Sequence, residues 1–329
     1  LVRLAKLAAA CRHGYHLRIF IREDNMGIFG RMGVAALVAG LGLMTGPAHA
    51  QVIDGQLDAG FYGPAVAVQN TQTQFGDSNL GQVGPANGSE LDNAYGRIFG
   101  GNLYLFLGGN LESNFNKLSL FFHTGAAGQN TLRNDNPNVD FNGLNNMAGL
   151  TFDSAFTATR WLGMGGNGAD IFANFSELLP TGGGVGNYIG QTSYGSNGVL
   201  SGGTNPFGIR VTINNSNTAG VDGGTGTASG AGVTTGIELE IPLTALGNPT
   251  GPIWVSALIT DPGYGFMSNQ VLGGIGGGGN LAGTGAVNFS SIPGDQYFVV
   301  VPEPTSFLLA GLAPLGYGLI RRRKASATA

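Results

Sequence analysis

Along residues 100 to 301 the apolar positions come in short runs separated by Gly- and Asn-rich stretches, and long amphipathic helices are hard to find. Arg210-Val-Thr-Ile213 and Ile237-Glu-Leu-Glu-Ile241 alternate with period two, the pattern of a strand with one buried face. Leu103-Tyr-Leu-Phe-Leu107, Lys117 to Phe122, Leu150 to Asp153, Gly208 to Ile213, Ile237 to Leu243, Ile253 to Thr260 and Gln296 to Val301 read as strands. Asn-Gly pairs at 87–88, 142–143, 167–168 and 197–198 supply turns. Thr181 to Thr204, Asn214 to Thr235 and Gly273 to Gly285 read as long surface loops. The 60 glycines would weaken any long helix. We expect an all-β ectodomain over residues 51–300, an antiparallel β-sandwich with long Gly/Asn-rich loops.

The two ends have a different texture. Met26-Gly-Ile-Phe-Gly-Arg31 leads into the apolar stretch Met32 to Met44 and then Ala48-His49-Ala50. A cationic start, an apolar centre and an A-x-A site predict a signal peptide over 26–50, cut before Gln51, with the Sec translocon and signal peptidase as partners. Residues 1–25 carry five Lys/Arg and the single cysteine, Cys11. They read either as upstream sequence taken in by a wrong start, with Met26 the true one, or as a long cationic leader. At the other end, Thr305 to Ile320 holds no charge and Arg321, Arg322, Arg323 and Lys324 follow at once, with residues 325–329 as a tail. As a C-terminal hydrophobic helix the run would reach about 24 Å, against a hydrocarbon core of about 30 Å. The cations favour a cytoplasmic end, with everything before the helix exported. Pro302 and Pro304 make Val301 to Pro304 an extended joint.

Pro302-Glu303-Pro304, a short apolar segment and the cluster Arg321 to Lys324 resemble the PEP-CTERM sorting signal of Gram-negative bacteria, over residues 301–324. The resemblance implies recognition and removal of the tail by the membrane protease exosortase. It also implies transient membrane anchoring, then release to the cell surface or extracellular matrix. A second resemblance lies at the start of the ectodomain. Val52-Ile-Asp-Gly-Gln-Leu-Asp58, then Ala94-Tyr95, then Gly101 to Leu107 is similar to the opening of DOMON-like, family-9-type carbohydrate-binding modules. It covers residues 52–122 and implies a DOMON-like or jelly-roll-like sandwich, without placing a sugar clamp.

Removing both ends changes the charge balance. Residues 51–300 hold five cations against 16 acids, a net charge of −11, so nucleic acid is a poor partner. This region has no cysteine and one histidine, His123, which speaks against disulfides, a zinc site or a Ser-His-Asp triad. His123 closes a strand and reads as a hydrogen-bonded strand end. Glu238 and Glu240 read as a solvated strand face, and Gly163-Met-Gly-Gly-Asn-Gly168 matches a dinucleotide fingerprint only by composition. Trp161 and Trp254 read as core. We expect no enzyme and no cofactor, with one exception to weigh. Asn138, Asp140 and Asn142 alternate before Gly143 as oxygens do in a weak calcium loop, although an Asx-rich loop capping its own backbone is the preferred reading.

Two functional classes remain. The chain is either a non-catalytic surface or matrix component, or a carbohydrate-binding protein for exopolysaccharide or a nutrient glycan. Tyr188, Tyr194 and Tyr264, set in Gly-rich segments, are the candidate sugar contacts.

Overall fold

The computed structural model describes residues 51–75, 88–221 and 226–303. The signal peptide with Ala48 and Ala50, residues 1–25, Asn87, Pro304, the C-terminal helix, Arg321, Arg322, Arg323, Lys324 and the 325–329 tail lie outside the described residues. Among those described, no helix is long and apolar enough to cross a membrane.

Among the described residues, thirteen strands form two antiparallel sheets: β1 (Ala67–Val68), β2 (Glu90–Phe99), β3 (Asn102–Asn110), β4 (Asn114–His123), β5 (Arg160–Asn167), β6 (Asp170–Glu177), β7 (Gly186–Ser193), β8 (Arg210–Ile213), β9 (Gly236–Pro242), β10 (Ile253–Thr260), β11 (Phe266–Val271), β12 (Ala282–Gly283) and β13 (Phe298–Val300). One sheet runs β1-β2-β3-β9-β8. The other runs β12-β11-β10-β4-β5-β6-β7, with β13 also on β10. Leu103, Leu105, Leu107 and Leu239 of the first sheet meet Leu118, Leu120, Phe122, Leu162 and Val255 of the second in the main core. The expected β-sandwich is present.

Both sheets are also covered on their outer faces. On the first, Tyr104 and Phe106 pack with Ile53 and Tyr62, the latter ending the one-turn helix α1 (Ala59–Tyr62). On the second, Phe121, Trp161 and Leu258 lie under Leu144, Phe152, Phe156 and Phe289 from the long connections. A strand buried on both faces reads as a continuous apolar run, and Phe121-Phe122 is such a run. The β2–β3 hairpin turns through Gly100-Gly101 with φ of +59° and +86°, both positive as a tight primed turn requires.

The expected strands at 103–107, 117–122, 237–243 and 253–260 coincide with β3, β4, β9 and β10. Gly208 to Ile213 and Gln296 to Val301 contain the shorter β8 and β13. Leu150 to Asp153 does not form a strand; Thr151 makes single bridges to Thr131 and Asn288. The expected loop Thr181 to Thr204 contains β7. Of the fingerprint-like stretch, Gly163, Gly165 and Gly166 sit inside β5, where they make room, and Gly168 lies in the turn that follows. A Cβ on Gly163 would lie 2.0 Å from Trp161 Cζ2, one on Gly165 2.9 Å from Lys117 Cδ, and one on Gly166 1.8 Å from Tyr194 Oη. They serve packing, with no strand-to-helix turn beside them.

Glu238 and Glu240 overturn the expectation of a solvated face. Glu238 is fully buried under the N-terminal segment. Its Oε2 accepts from the backbone N–H of Asp54 (2.9 Å) and Gly55 (3.0 Å), and its Oε1 from Gln51 Nε2 (3.0 Å) and the Tyr62 hydroxyl (2.8 Å). Burial pushes the Glu238 carboxyl above its usual range against the pull of these donors. Gly55 (φ +76°) must be glycine here, because a Cβ would stand 2.8 Å from both Asn214 Cβ and the Gly236 carbonyl oxygen. The Asp-Gly step of the opening motif is therefore a backbone docking device. Glu240 pairs with Arg210 at 2.9 Å and accepts from Asn102 and Tyr104.

Candidate functional site

The site is built on the outer face of the larger sheet, beginning with one buried charge pair. Lys117 of β4 extends over Gly165 of β5, and its Nζ lies 2.9 Å from each oxygen of Asp140. Both side chains are shut off from solvent. The Tyr264 hydroxyl donates to the same carboxylate. Burial, and then the Asp140 charge, hold the Tyr264 phenol well above the usual tyrosine range. Gly143 completes the fit, since a Cβ there would lie 2.4 Å from Tyr264 Cε2.

This anchor holds a strained loop. Asp140, Phe141 and Asn142 have φ of +46°, +54° and +71°, three successive left-handed residues without a glycine. Each costs on the order of 1–2 kcal/mol, so the loop needs a strong internal contact to hold its shape. The excursion turns Asp140 inward and leaves Phe141 96% exposed at the tip. Asn142 Oδ1 accepts from Asn145 Nδ2 (2.7 Å), just within the one-turn helix α2 (Gly143–Asn146).

Beside the loop opens a cleft of about 560 Å³, lined by Asn138, Val139 and Asp140, by Asn174 of β6, by Asn187 and Tyr188 of β7, and by Gly202 to Thr204. Two glycines shape it. Gly186 lets Pro137 and Val139 close in, and Gly203 lies against the backbone of Ile189 and Gly190, where a Cβ would be 2.3 Å from the Gly190 nitrogen. Thr204 N–H donates to the Tyr188 carbonyl at 2.8 Å, fixing that wall. Tyr188 is 37% exposed, and its hydroxyl reaches Gln191 Oε1 at 3.4 Å. Burial, and then the charge of Asp170, raise its phenol above the usual value. Among the described residues, the side-chain amides of Asn138, Asn174 and Asn187 have no protein hydrogen-bond partner. Asn174 is only 3% exposed, and its amide, at the floor of the cleft, makes no hydrogen bond within the protein. An amide unpaired by protein at the floor of a cleft keeps both a donor and an acceptor for a ligand.

Of the candidate tyrosines, Tyr188 alone faces the cleft. Tyr264 is 1% exposed and part of the anchor, which rules it out as a surface sugar contact. Tyr194 packs against the main core, its buried hydroxyl without a partner and its phenol pushed up by burial. The three calcium-loop residues point to three different places: Asn138 to the cleft, Asp140 to Lys117 and Tyr264, and Asn142 to Asn145. They present no common centre, and the segment caps its own backbone through Asn136 and Asn145. His123 Nδ1 sits 3.0 Å from the Thr157 carbonyl oxygen and hydroxyl, with its ring against Trp254. Trp161 is buried and donates to Ser119 Oγ, while Trp254 stacks flat on Tyr297. Of the sorting motif, Pro302 bridges Ile98 of β2 and Glu303 pairs with Arg97 at 2.7 Å.

The sequence pattern missed Asn174 and Asn187. Nothing in Ile171-Phe-Ala-Asn-Phe175 distinguishes an amide facing a cleft from one facing bulk water. Comparison of the chain with protein-family models, with curated proteins and with solved structures finds no match.

Proposed function

We propose that this chain is an exported, non-catalytic surface or matrix protein whose folded part binds a saccharide in the Asn174 cleft. The observation that carries the binding reading is the group of amides unpaired by protein at Asn138, Asn174 and Asn187 beside the exposed ring of Tyr188. Sugar hydroxyls both donate and accept, and a side-chain amide offers both functions, while a tyrosine ring gives a flat apolar surface for a sugar face. No Lys or Arg lines the cleft, so the ligand class is a neutral glycan, either exopolysaccharide or a nutrient polymer. The sandwich is also the architecture that the carbohydrate-module resemblance of residues 52–122 implies. Export, exosortase processing and surface delivery rest on the order of parts at the two termini.

The test is equilibrium binding of the purified chain to a panel of neutral and acidic polysaccharides. Saturable binding to a neutral glycan, weakened at least tenfold by Tyr188→Ala with the melting temperature retained, supports the reading. No binding across the panel would leave a matrix component acting through protein partners.

A further inference from the structure

The wall of the cleft at Tyr188 continues into a row of aromatic side chains. Along β6, Ile171, Ala173 and Phe175 face the main core, so Phe172 shares the outer face with Asn174. Two residues of strand set Phe172 about 7 Å from Asn174. A β-bulge between Ala173 and Asn174 places Tyr188 opposite Asn174 and Gln191 opposite Phe172. The Tyr188 hydroxyl lies 3.4 Å from Gln191 Oε1, so its ring leans along β7 towards Phe172. After burial, it is the charge of Asp170, the next residue on this face of β6, that raises the Tyr188 phenol, in keeping with that direction.

On its other side Phe172 is paired with Gly165 of β5, which offers no side chain. Across that gap stands Phe115 of β4, its ring centroid 6.4 Å from that of Phe172 and the two planes 26° apart. Phe115 has φ +70°, a region that a bulky residue rarely enters, and it is 43% exposed. An unfavourable backbone thus holds an apolar ring half in solvent. With strands about 4.8 Å apart, Gln191, Phe172 and Phe115 mark a row about 11 Å long leading away from Tyr188.

We propose that the saccharide site runs on from the Asn174 cleft over Tyr188 and Phe172 to Phe115, so that its ligand is a neutral polymer held by several linked sugar rings. This inference rests on the saccharide reading of the cleft and extends it. One sugar ring cannot cover the row, whereas linked rings can lay their apolar faces on successive aromatic side chains. The Gln191 amide, between Tyr188 and Phe172, supplies a donor and an acceptor for hydroxyls. Asp170 beside the row disfavours an acidic polymer, and Lys117, on the same strand as Phe115, is closed off by Asp140.

The experiment is calorimetric titration of the full-length chain in mild detergent with disaccharides and hexasaccharides of glucan, mannan, galactan and xylan. We expect the hexasaccharide of one polymer to bind about tenfold tighter than its disaccharide. Phe115→Gly should remove most of that advantage and leave the disaccharide affinity unchanged. Its melting temperature should hold or rise, because glycine is at ease at this φ. Tyr188→Ala should weaken both lengths. Equal affinity for the two lengths, or Phe115→Gly binding the hexasaccharide as tightly as the wild type, overturns the extension and leaves the cleft reading standing. Failure of every sugar to bind overturns both. Self-association of the wild type that Phe115→Gly abolishes, seen by sedimentation, assigns the ring to a second copy of the chain and also overturns the extension.

Discussion

Two polar regions lie within a few residues of each other on the outer face of the larger sheet, and they are built on opposite terms. In the anchor, each oxygen of Asp140 lies 2.9 Å from Lys117 Nζ, one of them also accepts from Tyr264, and nothing is left for a ligand. In the cleft, Asn138, Asn174 and Asn187 keep their amides unengaged by protein beside a half-open ring. One loop joins the two, with Asn138 facing outward and Asp140 inward. The contrast teaches that ionic character is a poor guide to function in this chain. Its buried charges hold the fold, and its uncharged amides are the groups available for recognition.

The largest effect should come from breaking the anchor. Lys117→Met keeps most of the apolar stem and leaves Asp140 buried without its cation, at a cost of about 3–5 kcal/mol. Chemical denaturation should show that loss, and glycan binding should fall with it because the loop loses its hold. A loss below about 1 kcal/mol would mean that the anchor is not what secures the loop.

The buried Glu238 comes next. Its carboxyl is raised in the fold, so the stability linked to this group is complete below the unfolded value of about 4.3 and is lost as pH rises through the folded value. Relative to Glu238→Gln, the wild type should therefore gain melting temperature as pH is lowered from 8 towards 5. Parallel pH curves for the two proteins would remove Glu238 from the account.

Two smaller effects sharpen the contrast from the other side. Asn174→Ala removes an amide that makes no hydrogen bond within the protein, so stability should change by less than about 1 kcal/mol while glycan affinity drops. A clear destabilisation would show that Asn174 already has a structural task. Phe141→Ser at the exposed loop tip should change stability by less than about 0.5 kcal/mol. If affinity also falls, the tip reaches the ligand; unchanged affinity confines recognition to the cleft itself.

Much of the fold was legible in the sequence because the strands near its centre combine β-branched or aromatic residues with alternation, as in β9 and β10. The strands that escaped carry few such residues: β5 has three glycines in eight residues, Arg160-Trp-Leu-Gly-Met-Gly-Gly-Asn167, and β2 opens on Glu90-Leu-Asp-Asn93. Most of their glycines and acids are explained by neighbours far along the chain, Lys117 and Tyr194 against the glycines of β5 and Asn217 over β2. The site was legible only in part. Tyr188 and Asn138 were visible as an aromatic and an amide in polar loops. Tyr264 was indistinguishable from them, because its burial is set by Asp140, 124 residues away. Glu238 looked solvated for the same reason, as its partners come from the N-terminal segment.

The most direct test is hydrogen–deuterium exchange of the purified chain with and without a saturating glycan from the binding panel. The account predicts new protection at residues 137–140, 186–188 and 202–204, with the anchor around Lys117 and Tyr264 equally protected in both states. Protection confined to the opposite sheet, around Gln51 to Tyr62, or to the buried anchor, would contradict it.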